Sequence, residues 1–127
     1  ETSASLTHDS LPSCRGDAHQ IRQVFTNLVA NAIKYRHPDR PPRIHISGKT
    51  SDNKSIYCVA DNGLGIGPHN QEKIFDMFYR VDPSHPAGGD GLGLSIVAKI
   101  LQRHDGRICL ESEPGQGSRF YIALPAT

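Results

Sequence analysis

The chain has 127 residues, of which 36% are hydrophobic and 21% are charged, so it is long enough for one domain with a buried core. Its formal net charge of +1 gives no case for a nucleic-acid or anionic-membrane partner. The sequence shows neither an apolar stretch of membrane-spanning length nor a signal-peptide pattern, and we therefore expect a cytoplasmic domain without membrane contact.

The cysteines and histidines indicate neither a disulfide framework nor a metal centre. The three cysteines include no CxxC pair. Cys58 and Cys109 fall in apolar strand patterns, where we expect buried, reduced thiols. The seven histidines lack metal-ligand spacing, so the sequence predicts no metal site built from protein ligands alone.

The first two predicted elements are an edge strand in Glu1–Ser10 and a helix over Asp17–Tyr35. In the strand, His8-Asp9 could be a phospho-acceptor or catalytic pair, but without a visible partner an ordinary edge segment is favoured. The helix has Asp17 as its expected N-cap and Gln20 at the capping-box position, and the prolines after position 37 prevent it from continuing.

The predicted helix has two distinct faces. Its apolar face repeats at the helical period and consists of Ile21, Val24, Phe25, Leu28, Val29, Ala32 and Ile33. A second stripe at the same spacing is polar and consists of Gln20, Gln23, Asn27, Asn31 and Lys34. Asparagine is a poor residue for the middle of a helix, because its side chain competes for backbone hydrogen bonds. Spacing alone leaves two interpretations of this stripe open, a ligand-binding face and a plain solvated face.

Two strands over Arg43–Lys49 and Ser55–Ala60 predict an antiparallel hairpin. A carboxylate at the strand end, Asp61, is followed by glycines at 63, 65 and 67. Glycines at this spacing allow a tight turn and the close approach of a flat ligand, although an ordinary glycine-rich turn has the same pattern.

The segment Gln71–Tyr79 is amphipathic, whereas Arg80–Asp90 combines prolines and glycines without apolar periodicity and is interpreted as a lid. The glycine-rich stretch Gly91–Leu94 leads into a second helix that ends near His104, and such a helix start is a ready anion site.

The last two predicted strands, Gly106–Glu111 and Ser118–Leu124, form a second hairpin. The complete order is strand, helix, two strands, short helix, lid, helix and two strands. It predicts an α/β two-layer sandwich in which helices cover one face of a mixed, mostly antiparallel sheet.

Taken together, these motifs in this order resemble the catalytic ATP-binding domain of a sensor histidine kinase, which has the GHKL or Bergerat fold. The segment Asp9–Arg36 is most similar to the phytochrome-like branch of that family. The resemblance covers nearly the whole chain, so residues 1–127 are interpreted as one such domain. It implies ATP and Mg²⁺ as cofactors.

The resemblance also implies roles for individual residues. Asn31 would ligate the Mg²⁺ that bridges the ATP phosphates, Asn27 would add phosphate and metal-water contacts, and Lys34 would meet the phosphates. Tyr35 would pack on the adenine, and Asp61 would accept a hydrogen bond from its amino group.

Further implied ATP contacts come from the loops. Phe75 and Phe78 would anchor the lid, and Arg80 would approach the phosphates; Arg80 joins Asn27, Asn31 and Lys34 as the implied catalytic set. The remaining implied ATP-binding residues are Gly63, Gly65, Ile66, Tyr79, Gly89, Gly91, Leu92, Gly93, Leu94, Gly117 and Ser118. Asp90 departs from the small neutral residue common in the family, and we expect its carboxylate to point outward or to cap the next helix.

Asn27 bears on the choice between kinase and hydrolase. Related ATPases carry a glutamate at this position as general base for water, and an amide cannot take a proton. Asn27 therefore favours transfer to histidine over hydrolysis. No segment matches the phospho-accepting histidine, so we expect a fragment that works with a dimerisation and histidine-phosphotransfer domain and with a response regulator. The alternatives are a degenerate nucleotide- or protein-binding module and a GHKL-type ATPase.

Overall fold

A computed structural model of the chain describes residues 4–71, 73–75 and 93–127. Its elements, in chain order, are β1 (Ser5–His8), α1 (Ala18–Lys34), β2 (Arg43–Ser51), β3 (Lys54–Asp61), α2 (Pro68–Gln71), α3 (Gly93–Arg103), β4 (Arg107–Glu113) and β5 (Gly117–Pro125). For the helices and strands that these residues cover, the order expected from the sequence is confirmed. The expected lid, 80–90, lies outside the described residues, as do 72 and 76–79 of the predicted amphipathic segment.

The five strands form one mixed sheet in the order β1-β2-β3-β5-β4. β1 runs parallel to β2, and the other three neighbouring pairs are antiparallel. Both predicted hairpins are present. Asp52 and Asn53 make the tight β2–β3 turn with φ of 50° and 62°, in the left-handed region that such turns require.

The core lies between one face of the sheet and the two long helices. Alternate residues of the central strands, such as Val59 and Phe120, meet Leu28 of α1 and Leu101 of α3 there, and all four are at most 2% exposed. This arrangement confirms the α/β two-layer sandwich, because the period-2 strand pattern and the period-3.6 helix pattern each supply one apolar face.

The opposite face of the sheet carries Cys58, Tyr121 and Cys109 side by side on β3, β5 and β4. The expectation of two buried thiols is wrong. Cys109 is exposed and Cys58 is half-buried, although both are free thiols. On β4 the neighbouring Ile108 and Leu110 pack against the core, so alternation turns Cys109 outward.

The N-terminus of α1 is joined to the C-terminus of α3. Asp17 is the N-cap, as predicted, and its Oδ2 accepts a hydrogen bond from the Gln20 backbone N–H at 2.9 Å. A capping box would also pair the Gln20 side chain with the Asp17 backbone N–H, but in the structure another residue accepts this hydrogen bond. The Asp17 backbone N–H donates to His104 Nε2 at 3.1 Å, and Nδ1 of the same ring lies 2.7 Å from the Ile100 carbonyl oxygen. His104 therefore bridges the two helices.

Candidate functional site

The polar stripe of α1 ends beside the start of α3. Asn27 and Asn31 are half-buried, and Lys34 is exposed in the last helical turn. Asn27 Nδ2 donates to the carbonyl oxygen of Gly93, the first residue of α3, at 3.3 Å. Within the described part of the chain, the Asn31 side-chain amide makes no hydrogen bond. The stripe thus presents an amide oxygen, a hard ligand of the kind that Mg²⁺ accepts.

Asp61, the last residue of β3, has two carboxylate oxygens in different environments. Oδ1 accepts hydrogen bonds from the backbone N–H groups of Gly63 at 2.9 Å and Ser118 at 3.2 Å. Among the described residues, Oδ2 has no hydrogen-bond partner. Burial raises the pKa of the Asp61 carboxyl, and the two N–H donors lower it by less. Asp61 therefore offers a positioned oxygen that can accept a hydrogen bond from a ligand.

Two glycines allow the loops around Asp61 to pack backbone against backbone. Gly65 has a φ of +75° and Gly117 a φ of +122°, both in the region that favours glycine. A Cβ on Gly65 would overlap the Glu113 carbonyl oxygen, and one on Gly117 would overlap the Asp61 carbonyl oxygen. At Gly65, the room that glycine provides is thus taken by neighbouring backbone rather than left for a flat ligand.

Backbone hydrogen bonds join three loops into one wall next to Asp61. The N–H of Leu64 donates to the carbonyl oxygen of Tyr35, just after α1, at 3.0 Å. The N–H of Gly115, in the β4–β5 turn, donates to the carbonyl oxygen of Leu64 at 2.7 Å. The loop after β3 is therefore held between the end of α1 and the β4–β5 turn.

Sequence reasoning missed Ser112, which ties β4 to this wall. Its Oγ accepts a hydrogen bond from the Ile66 backbone N–H at 2.7 Å, donates to the Gly117 carbonyl oxygen at 2.9 Å and lies 2.8 Å from Ser118 Oγ. Ser112 occupies an inward position of a strand whose other inward residues are apolar, and that polar break in the alternation is the signal that could have identified it.

The other expected site residues fall into two groups. Phe75 packs edge-on against Phe120 with ring centroids 6.3 Å apart, and Ile66 and Leu94 pack against the core. The second group lies outside the described residues and comprises Phe78, Tyr79, Arg80, Gly89, Asp90, Gly91 and Leu92.

A profile of the histidine kinase-, DNA gyrase B- and HSP90-like ATPases matches residues 16–127. The chain belongs to this ATPase family. The domain is 42% identical over 125 residues to cyanobacterial phytochrome A of a Nostoc species, covering 98% of this chain and 16% of that protein. It is 41% identical over 111 residues to the sensor protein kinase WalK of Staphylococcus saprophyticus, covering 86% of this chain and 18% of that protein. The chain therefore spans less than a fifth of these relatives.

Solved structures of histidine kinases share the fold of this ATPase-family domain. The nucleotide-free catalytic domain of ThkA superposes with a TM-score of 0.78 at 30% identity, covering 98% of this chain and 78% of that one. Full-length ShkA in complex with AMPPNP gives a TM-score of 0.82 at 26% identity, covering 98% of this chain and 26% of that one. These similarities confirm the expected family and fold. Among the described residues, no helix is both long and apolar enough to cross a bilayer.

Proposed function

We propose that this domain binds Mg-ATP and supplies the γ-phosphate for autophosphorylation of a histidine in two-component signalling. The observation that carries the proposal is that the two carboxylate oxygens of Asp61 have different hydrogen-bond partners. Oδ1 is held by two backbone N–H groups, which leaves Oδ2 as an acceptor beside the loop wall. Membership of the ATPase family and the AMPPNP bound to ShkA support a nucleotide as the ligand.

Asp61 selects adenine through its free oxygen. The adenine 6-amino group donates to Oδ2, whereas guanine would present a carbonyl oxygen and set two acceptors against each other. Such a mismatch costs roughly 1–3 kcal/mol. Gly63 and Gly65 shape the adenine pocket, Tyr35 packs on the ring, and Gly117 and Ser118 close its end.

In this proposal the polar stripe of α1 lies beside the ATP phosphates. The Asn31 amide, which makes no hydrogen bond among the described residues, would hold Mg²⁺ together with phosphate oxygens. Asn27 and Lys34 would contact the phosphates. Bound Mg²⁺ would supply neutralisation of charge developing on the transferred phosphoryl group. The start of α3, with Gly93 and Leu94, would offer backbone N–H groups to the same anion.

The same proposal includes residues in and around the lid, most of which lie outside the described part of the chain. Phe75 and Phe78 would anchor the lid, and Arg80 would approach the phosphates from its base. The other residues assigned to ATP binding are Gly89 in the lid, Tyr79, Gly91 and Leu92 on either side of it, and Ile66 at the pocket edge.

Asn27 favours transfer to histidine over hydrolysis. A water nucleophile needs a base to take its proton, and the Asn27 amide cannot act as one, whereas a neutral imidazole attacks with its own lone pair. The histidine lies on a dimerisation and phosphotransfer domain of the same kinase. A response regulator then receives the phosphate in the cytoplasm.

A transfer assay tests this proposal. The domain is incubated with γ-labelled Mg-ATP and its kinase's dimerisation domain, and label on protein is then measured after acid and after base treatment. Phosphohistidine is lost in acid and survives base, so acid-labile label supports the proposal. Nucleotide binding without transfer would identify a degenerate nucleotide-binding module, and release of phosphate to water would identify an ATPase.

A further inference from the structure

We propose that Arg40, in the loop between α1 and β2, is a positioning residue that holds the Asp61 carboxylate in its adenine-accepting orientation. The inference rests on the proposed function and adds a residue that lies outside the ATP site described above. Arg40 is half-buried and donates three hydrogen bonds, all of them to backbone carbonyl oxygens.

Arg40 donates hydrogen bonds to the loop that follows β3. Its Nε donates to the Asn62 carbonyl oxygen at 2.8 Å, and its Nη2 donates to the Gly63 carbonyl oxygen at 3.3 Å. The same Nη2 donates to the Gly115 carbonyl oxygen, in the β4–β5 turn, at 2.7 Å. One planar guanidinium thus clamps two loops, a task for which its rigid fork of donors is suited.

The connection to Asp61 runs through a single peptide group. The carbonyl of Asn62 and the N–H of Gly63 belong to the same planar unit and point in opposite directions. Arg40 holds the carbonyl end, and Asp61 Oδ1 accepts from the N–H end at 2.9 Å. Because rotation of this peptide would move both ends together, the hydrogen bond from Arg40 to the carbonyl fixes one of the two donors that orient the carboxylate.

No other described contact replaces this grip. The Asn62 side chain instead bonds to the residues at the start of β2. Its Oδ1 accepts from the Arg43 backbone N–H at 2.8 Å, and its Nδ2 donates to the Pro41 carbonyl oxygen at 3.1 Å. Within the described residues, the Asn62 carbonyl oxygen therefore depends on Arg40. Without Arg40, Asp61 Oδ1 keeps the Ser118 N–H but loses a fixed Gly63 donor, so the preference of the site for a 6-amino group should fall.

The test measures a preference rather than affinity alone. Calorimetry in Mg²⁺ compares ATP with purine riboside triphosphate, which lacks the 6-amino group, for the wild type, Arg40→Gln, Arg40→Lys and Arg36→Gln. Arg36→Gln is the matched control: it removes the same charge from the same loop, and the described side-chain contact of Arg36 is to the Ile33 carbonyl oxygen in the preceding helix α1.

We expect the wild type and Arg36→Gln to prefer ATP by about tenfold, which is the value of one good hydrogen bond to a charged acceptor. Arg40→Gln should reduce that preference to about threefold or less with little change toward the amino-free nucleotide, and Arg40→Lys should lie between. An equal loss for both nucleotides, or an unchanged preference in Arg40→Gln, would overturn the inference.

Folding of each variant is followed by circular dichroism. If Arg40→Gln does not fold, Arg40→Lys decides: a preference below that of the wild type supports the inference, and a wild-type preference refutes it. Failure of the wild type to bind either nucleotide would instead reject the proposed function, so the two failures are distinguishable.

Discussion

Asp61 and Ser118 lie 57 positions apart in the sequence, yet the Ser118 backbone N–H donates to Asp61 Oδ1 at 3.2 Å. The two residues are direct partners in the antiparallel β3–β5 register. A second donor, the Gly63 N–H, reaches the same oxygen. One carboxylate oxygen therefore belongs to the fold, and the other is available to a ligand.

The two oxygens can be separated by Asp61→Asn. Asparagine keeps Oδ1 for both backbone donors but replaces Oδ2 with an NH₂ donor, which faces the adenine amino group unfavourably. We expect a folded protein whose affinity for ATP falls by about tenfold or more, and which binds inosine triphosphate better than ATP, because inosine carries a carbonyl at that position. Calorimetry measures both ligands, with the exposed Asp39→Asn as control. Unchanged ATP affinity in Asp61→Asn would contradict the assignment of Oδ2.

The same variant should change the pH dependence of stability without nucleotide. Burial raises the pKa of folded Asp61 above its ordinary value of 3.8, so the folded state binds the proton more tightly than the unfolded state. The stability that this group contributes is present at low pH and is lost as pH rises through the raised pKa. Urea unfolding from pH 4 upward should therefore show Asp61→Asn gaining stability relative to the wild type, up to a plateau above the folded pKa. A difference that is constant with pH, or that shrinks as pH rises, would contradict the role of burial.

The proposed metal role of Asn31 predicts a Mg²⁺-dependent loss of nucleotide affinity when the side chain is removed. Asn31→Ala should weaken nucleotide binding by about tenfold or more in Mg²⁺ and much less in EDTA, since even outer-shell changes at metal sites cost about 10–100-fold. Gln23→Ala, an exposed position on the same stripe, is the control and should bind normally. Equal losses with and without Mg²⁺ would assign Asn31 a structural role instead.

The glycines around the loop wall are expected to differ sharply in how much an alanine substitution destabilises the fold. Gly117→Ala combines a left-handed φ of +122° with overlap against the Asp61 carbonyl oxygen, and it should cost about 2 kcal/mol or more of unfolding free energy. Gly67→Ala meets no atom within 4 Å and should be nearly neutral. Urea denaturation measures both variants. A Gly117→Ala variant with the unfolding free energy of the wild type would contradict the close backbone packing of Gly117 against Asp61.

His104→Ala should uncouple α1 from α3. It removes the acceptor of the Asp17 N–H and the contact with the Ile100 carbonyl oxygen, and we expect a loss of about 1–2 kcal/mol in unfolding free energy. His19→Ala, on the exposed side of the first turn of α1, provides the comparison. Equal unfolding free energies of the two variants would show that the His104 contacts do not stabilise the packing of α1 and α3.

The fold was predictable where local pattern decides it. The apolar period of α1, its Asp17 cap and the two hairpins all follow from short-range signals in the chain. Contacts set by register and loop packing were not predictable. The hydrogen bond from Ser118 to Asp61, the three hydrogen bonds of Arg40 and the bridge at His104 join residues distant in sequence. The outward orientation of Cys109, in contrast, follows from the alternation of β4 with Ile108 and Leu110 and was predictable.

We propose that Asp61 and the polar stripe of α1 form a Mg-ATP site, and calorimetry with a non-hydrolysable ATP analogue is the decisive measurement. The wild-type domain is titrated with AMPPNP with and without Mg²⁺, alongside Asp61→Asn. We expect binding by the wild type that strengthens with Mg²⁺ and is reduced about tenfold or more in Asp61→Asn. Absence of binding by the wild type at millimolar AMPPNP would contradict it.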